Sequence, residues 1–186
     1  MKRTIIMDAL ANYRILVANV DALCERIAAA YGSHIKCAPG CDACCRHLTL
    51  FPVEAYALAG AVNELAEPLR TELRAKAAGI TPEAPCPLLW ESTCLLYNAR
   101  PLICRTHGFP ILLETADGTR VDHCPRNFQG LASLPGNAVI QLERLNETLA
   151  AVNALFLQNI PAALPTGKDD RLTIARAILL APRRDD

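Results

Sequence analysis

Eight of the nine cysteines of this 186-residue chain fall between positions 37 and 124, a window of 88 residues. Their order is Cys37-x3-Cys41-x2-Cys44-Cys45, then Cys86-x7-Cys94-x9-Cys104-x19-Cys124. No other feature restricts the fold so strongly. Short cysteine spacing inside a Gly/Pro loop lets several thiolates meet one ion without a helix or strand opposing them. A lone Cys-x2-Cys is either a redox dithiol or a zinc knuckle. Four cysteines within nine residues, followed by four more, point to metal. The adjacent pair adds a geometric constraint. Cys44 and Cys45 point to opposite sides of an extended chain and diverge by about 100° in a helix. They suit two metals, or two positions of one polynuclear centre, better than one tetrahedral ion. Eight thiolates equal two four-cysteine shells, or one larger cluster with thiolates to spare. Four thiolates fit tetrahedral zinc and an iron–sulfur cluster equally well.

Charge and hydropathy remove other classes. Nineteen Lys and Arg balance nineteen Asp and Glu. That argues against a nucleic-acid partner or an anionic membrane surface. With 52% hydrophobic and 20% charged residues, disorder is not expected. Met1-Lys2-Arg3 resembles the start of a signal segment, but Asp8, Asn12 and Arg14 interrupt the apolar run that should follow. No run reaches the about 18 apolar residues of a membrane span. The expected location is the cytoplasm, whose reducing conditions favour metal-binding or redox thiols over structural disulfides.

Around the cysteines the sequence predicts a mainly α fold. Long N- and C-terminal helices pack on a loop-rich metal module with one or two short hairpins. The expectation is one domain over residues 1–186: an N-terminal helix (1–32), the cysteine module (33–128) and C-terminal helices (129–186). Ile6, Leu10, Tyr13, Val17, Val20, Cys24, Ile27 and Tyr31 alternate in steps of four and three, predicting a helix from about Thr4 to Tyr31. Its stripe is read as packing on its own fold rather than as a dimeric coiled coil. Cys24 lies on that stripe and is expected to be a core thiol. Pro52 opens a helix to about Ala66, and a second runs from Pro68 to Gly79. Asp117-Gly118 between Ile111-Leu112-Leu113 and Thr119-Arg120-Val121 predicts a hairpin. Pro101 starts a short helix reaching Cys104. Asn137 is expected to cap a helix over about 138–158, and Asp169 or Asp170 a last one carrying Leu172, Ala175, Ile178 and Leu179.

Three strings together carry a resemblance: Cys37-Ala-Pro-Gly-Cys41-Asp-Ala-Cys44-Cys45, Cys86-Pro-Leu-Leu, and Cys94-Leu-Leu-Tyr97-Asn-Ala-Arg100-Pro101-Leu-Ile-Cys104-Arg105, closed by Cys124. Over about residues 33–128 the chain resembles the YkgJ-type cysteine-cluster proteins, whose shared module is called the CxxCxxCC or zinc/iron-chelating domain. The resemblance implies Cys37, Cys41, Cys44, Cys45, Cys86, Cys94, Cys104 and Cys124 as metal ligands, with zinc or iron undecided. Some relatives are flagellin lysine N-methylases, much longer chains. Their activity is not carried over, because no Gly-rich strand-to-helix loop for S-adenosylmethionine is evident here. Catalytic residues are not assigned.

Arg100 and Arg105 are expected beside the bound group, where cations temper the charge of clustered thiolates. His47, His107 and His123 flank cysteines but are not needed as ligands. Trp90, Tyr97 and Phe109 are expected to shield the centre. The leading expectation is a cytosolic metal-binding protein carrying an iron–sulfur cluster, [4Fe–4S] in preference to zinc. Its use would be electron transfer, metal handling or binding of a protein partner. The alternatives are a metal-dependent modification enzyme and a structural zinc module.

Overall fold

The computed structural model describes residues 6, 8–161 and 171–180. The elements run α1 (Ala11–Tyr31), β1 (Thr49–Leu50), α2 (Pro52–Asn63), α3 (Glu67–Ala78), β2 (Leu89–Trp90), β3 (Thr93–Cys94), α4 (Leu102–Thr106), β4 (Ile111–Thr115), β5 (Gly118–Asp122), β6 (Ile140–Gln141), α5 (Leu142–Gln158), β7 (Leu172–Thr173) and α6 (Ile174–Leu180). The fold is mainly α. Its strands form small antiparallel pairs, β1 with β7 and β2 with β3, and a three-stranded sheet in the order β5-β4-β6. In that sheet β6 runs parallel to β4, with Ile111 opposite Ile140.

Helix α2 is the hub. Its sequence, Pro-Val-Glu-Ala-Tyr-Ala-Leu-Ala-Gly-Ala-Val-Asn, is apolar almost all round, which a helix tolerates only when buried on more than one side. At 100° per residue, Val53 and Tyr56 share one side, while Ala55, Leu58, Ala59 and Val62 share the other. The second set packs in a core with α3 (Leu73, Ala77), α6 (Ile174, Ile178) and the β2–β3 hairpin. The first set joins a core built from α1 (Tyr13, Val20, Cys24, Ile27), α4 (Leu102), α5 (Leu149, Phe156) and Phe128. The predicted stripe of α1 is thus covered by its own fold. Each fully buried Leu or Val contributes about 1.5–3 kcal/mol over its exposed state.

Two polar side chains close the start of α2. Asn153 of α5 accepts the Val53 N–H at 3.1 Å, and Glu54 accepts the Phe51 N–H at 3.2 Å. The other Glu54 oxygen accepts the Leu102 N–H at 3.0 Å. A helix begins with N–H groups that have no partner inside it, so these bonds satisfy donors that burial would otherwise leave unpaired.

Two predicted boundaries differ from the observed ones. Asn137 caps no long helix. Gly136–Ala138 is one turn of 3-10 helix, and Ile140 and Gln141 pair with β4 before α5 begins at Leu142. The β-branched Ile140 pairs with Ile111 at the sheet edge, and Val139 precedes it in extended backbone instead of joining the helix stripe. Leu172 likewise sits in β7, opposite Leu50, and not in the last helix. The predicted caps Asp169 and Asp170, and Thr4, lie outside the described residues.

Candidate metal centre

The first cysteine string is a chain of tight turns. Cys41 N–H bonds to Ala38 O at 3.0 Å, with Gly40 at φ +87°, and Cys45 N–H bonds to Asp42 O at 2.8 Å. This string then meets the next cysteine directly. The Cys86 N–H bonds to Cys45 O at 3.1 Å, beside a bridge pairing Arg46 with Pro85. The Leu89 N–H bonds to Cys86 O at 3.0 Å, and Leu89 lies opposite Cys94 in the β2–β3 hairpin. Cys45, Cys86 and Cys94 therefore gather at the edge of the core formed by α2, α3 and α6. Cys104 lies on α4. Burial pushes its thiol up to about 12, and the neighbouring Cys86, Cys94 and Cys45 add to this while Arg100 opposes it. Burial likewise pushes Cys86 up to about 11, with Cys94 and Cys45 as its thiol neighbours. Cys45 is raised by burial and then by Cys94.

The remaining four cysteines lie outward of this group. Cys44 is raised by burial and then by Cys45, with Cys37 and Cys41 adding smaller effects. Cys37 accepts a hydrogen bond from Asn127 Nδ2 at 3.3 Å. Cys41 accepts one from Arg126 Nη1 at 3.4 Å. Cys37 and Cys124 border the same glycine: a Cβ built on Gly108 would stand 3.2 Å from Cys37 Sγ and 3.6 Å from Cys124 Cβ. Cys45 has Cys94 among its thiol neighbours and Cys44 has Cys37 and Cys41, while the two adjacent side chains also hydrogen-bond to each other. The two groups meet where Cys45 also feels Cys41.

All nine cysteines are free thiols. Among the described residues, no three Cys, His, Asp or Glu side chains converge as they would around a bound ion. The donor chemistry nevertheless fits a thiophilic centre. These are undisulfided sulfurs from four chain segments, and thiolates are the ligands of zinc and of iron–sulfur clusters.

The two predicted arginines are placed differently. Arg100 lies at the inner group: its Nη1 donates to Cys104 O at 3.4 Å, and it favours the thiolates of Cys94 and Cys104. Its guanidinium also stacks on the Tyr97 ring, 3.6 Å from the centroid. Arg105 is spent on the fold. Nη1 reaches both carboxylate oxygens of Asp21 at 2.7 and 2.6 Å, Nε donates to Arg100 O at 2.6 Å, and Nη2 donates to Asn98 O.

Among the histidines, His47 faces Ala175 N–H and Thr81 O, and His123 packs edge-on against Phe128. Tyr97 is 58 % exposed and shields little. Cys24 is the core thiol expected from its stripe position. It is buried, it contacts Arg105 O at 3.7 Å, and burial pushes it up to about 11. Sequence reasoning missed Arg126 and Asn127, whose one signal was their place just after Cys124.

Residues 36–125 match the family model CxxCxxCC, described as a putative zinc- or iron-chelating domain. That segment holds the eight clustered cysteines, and chelation of zinc or iron is what the family's description carries. No curated protein and no solved structure matches the chain. No helix among the described residues is long and apolar enough to cross a membrane.

Proposed function

We propose that this is a cytoplasmic metal-binding protein whose clustered thiols hold an iron–sulfur cluster, [4Fe–4S] in preference to zinc, for electron transfer, metal handling or binding of a protein partner. The observation that carries this reading is the set of eight free cysteines within the CxxCxxCC match, of which Cys45, Cys86 and Cys94 lie at the edge of the α2–α3–α6 core. Four thiols drawn from separate segments, in apolar surroundings, supply the donor set a cluster needs. Arg100 supplies positive charge beside two of them, which offsets the charge of clustered thiolates. A lone structural zinc needs only four ligands, and a second set of four thiols (Cys37, Cys41, Cys44 and Cys124) stands alongside. When bound, a cluster would supply one-electron chemistry.

The divergence of Cys44 and Cys45 gives the test. Each single Cys→Ser variant is purified without oxygen, and its iron, zinc and sulfide are measured. C45S is expected to lose the same fraction as C86S, and C44S the same fraction as C37S, with the two fractions unequal. Identical losses from C44S and C45S would contradict the division. A structural zinc module is the second reading. It is favoured by how little regular structure, two short strands, one bridge and a five-residue helix, supports the thiols of the inner group.

A further inference from the structure

Asn127 is 1 % exposed, and its amide is fully engaged. Oδ1 accepts the Lys36 N–H at 2.8 Å, and Nδ2 donates to Gly108 O at 2.9 Å and to Cys37 Sγ at 3.3 Å. A buried amide with two backbone partners would already be well satisfied. The remaining proton is aimed at a sulfur ninety positions away.

The surroundings hold it there. Gly108 has φ +90°, which strains any other residue, and a Cβ on it would lie 3.1 Å from Asn127 Nδ2 and 3.2 Å from Cys37 Sγ, so a side chain there would press on both atoms. On the far side, Phe128 takes φ +56°, is buried, and donates its N–H to His34 O at 2.8 Å. A non-glycine residue in the left-handed region persists only where its neighbours over-determine it. The segment from Cys124 to Phe128 is therefore held through Asn127 and Phe128, and presents an amide to Cys37 and a guanidinium to Cys41.

We propose that Asn127 is a positioning residue for metal capture: its amide holds the Cys37 sulfur beside Cys124, so that the first and last cysteines of the module act as one pair. This rests on the metal-binding reading above. Hydrogen bonds to ligand atoms orient them, and losing such a partner costs about ten- to hundredfold in metal affinity.

The test uses cobalt(II) as the probe on the full chain under anaerobic conditions, with sulfur-to-cobalt absorption followed against a competing chelator. Wild type, N127D, C37S and the N127D/C37S double variant are compared. Aspartate keeps the shape and an acceptor for Lys36 but, when ionised, can donate neither to the sulfur nor to Gly108 O, and the C37S background separates the two losses. N127D is expected to weaken cobalt retention about ten- to hundredfold. The double variant is expected to retain no less than C37S alone, because residues acting through one contact are not additive. A residue that only braced the fold would give additive losses.

G108A presses on the same Nδ2–Sγ contact from the other side, and its loss is also expected to vanish in a C37S background. It decides the matter if N127D does not fold. Additive losses, or wild-type cobalt retention in both N127D and G108A, overturn the proposal while leaving the metal-binding reading intact. Failure of the wild-type chain to take up cobalt overturns both.

Discussion

One Glu54 oxygen accepts the backbone N–H of Leu102 at 3.0 Å, joining the first turn of α2 to the first turn of the helix that carries Cys104. The other accepts the N–H of Phe51. Glu54→Ala leaves two largely buried donors unpaired and is expected to cost about 2–4 kcal/mol, read from denaturant unfolding. Glu54→Gln is expected to cost less, because its amide keeps one acceptor while its NH2 opposes the second donor. Equal stability of all three proteins would show that these bonds do not hold α4 in place.

The same carboxyl predicts a pH dependence. Burial raises Glu54 above the usual carboxylate range, and the Leu102 and Phe51 N–H groups and Arg171 oppose this without reversing it. Tyr13 faces it as well and is itself held protonated by burial. A carboxyl raised in the folded state binds its proton more tightly there than in the unfolded chain. Its stabilising contribution is complete below about pH 4 and is lost as pH rises through the raised value. Relative to E54Q, the wild-type denaturation midpoint is expected to fall over that interval. A wild-type midpoint that climbs relative to E54Q would contradict the assignment.

The β2–β3 turn is built from Glu91 and Ser92, with φ +44° and +59°. A two-residue hairpin loop with both residues left-handed is a type I′ turn, which favours Asn-Gly. S92G is expected to stabilise the protein by about 1 kcal/mol, measured by thermal unfolding, because glycine escapes the left-handed penalty. A loss of stability would show that the turn is set by side-chain contacts of Ser92 instead.

Arg100 and Arg105 should separate cleanly. R105A removes a two-oxygen ion pair to Asp21, itself 37 % exposed, and two bonds to backbone carbonyls. It is expected to cost about 2–3 kcal/mol with or without bound metal. R100A takes away the cation nearest Cys94 and Cys104, so its expected effect is weaker metal retention with unfolding shifted by less than about 1 kcal/mol. Metal analysis and denaturant unfolding of both variants check this, and interchanged effects would refute it.

How far the residues could be read in advance follows from the range of the forces involved. The α1 stripe, the apolar α2 and the Asp117-Gly118 hairpin depend on local periodicity and turn chemistry, and each lies close to where the pattern puts it. Cys24 was legible for the same reason. Asn137 misled because its cap signal is local, whereas the pairing of Ile140 with Ile111 is made across the fold. The roles of Glu54, Arg105 and Asn127 were hidden because their partners lie 48, 84 and 90 positions away. The sequence made the clustering of the eight cysteines legible, but not which thiols each would face.

Whether the thiols hold metal is tested most directly by the visible spectrum of anaerobically purified protein, taken with iron, zinc and acid-labile sulfide analysis. The expected protein is brown, bleaches on reduction, and contains iron and sulfide in comparable amounts. A colourless protein with stoichiometric zinc that takes up no iron and sulfide on reconstitution would contradict the iron–sulfur assignment, and one that binds neither metal would contradict the centre itself.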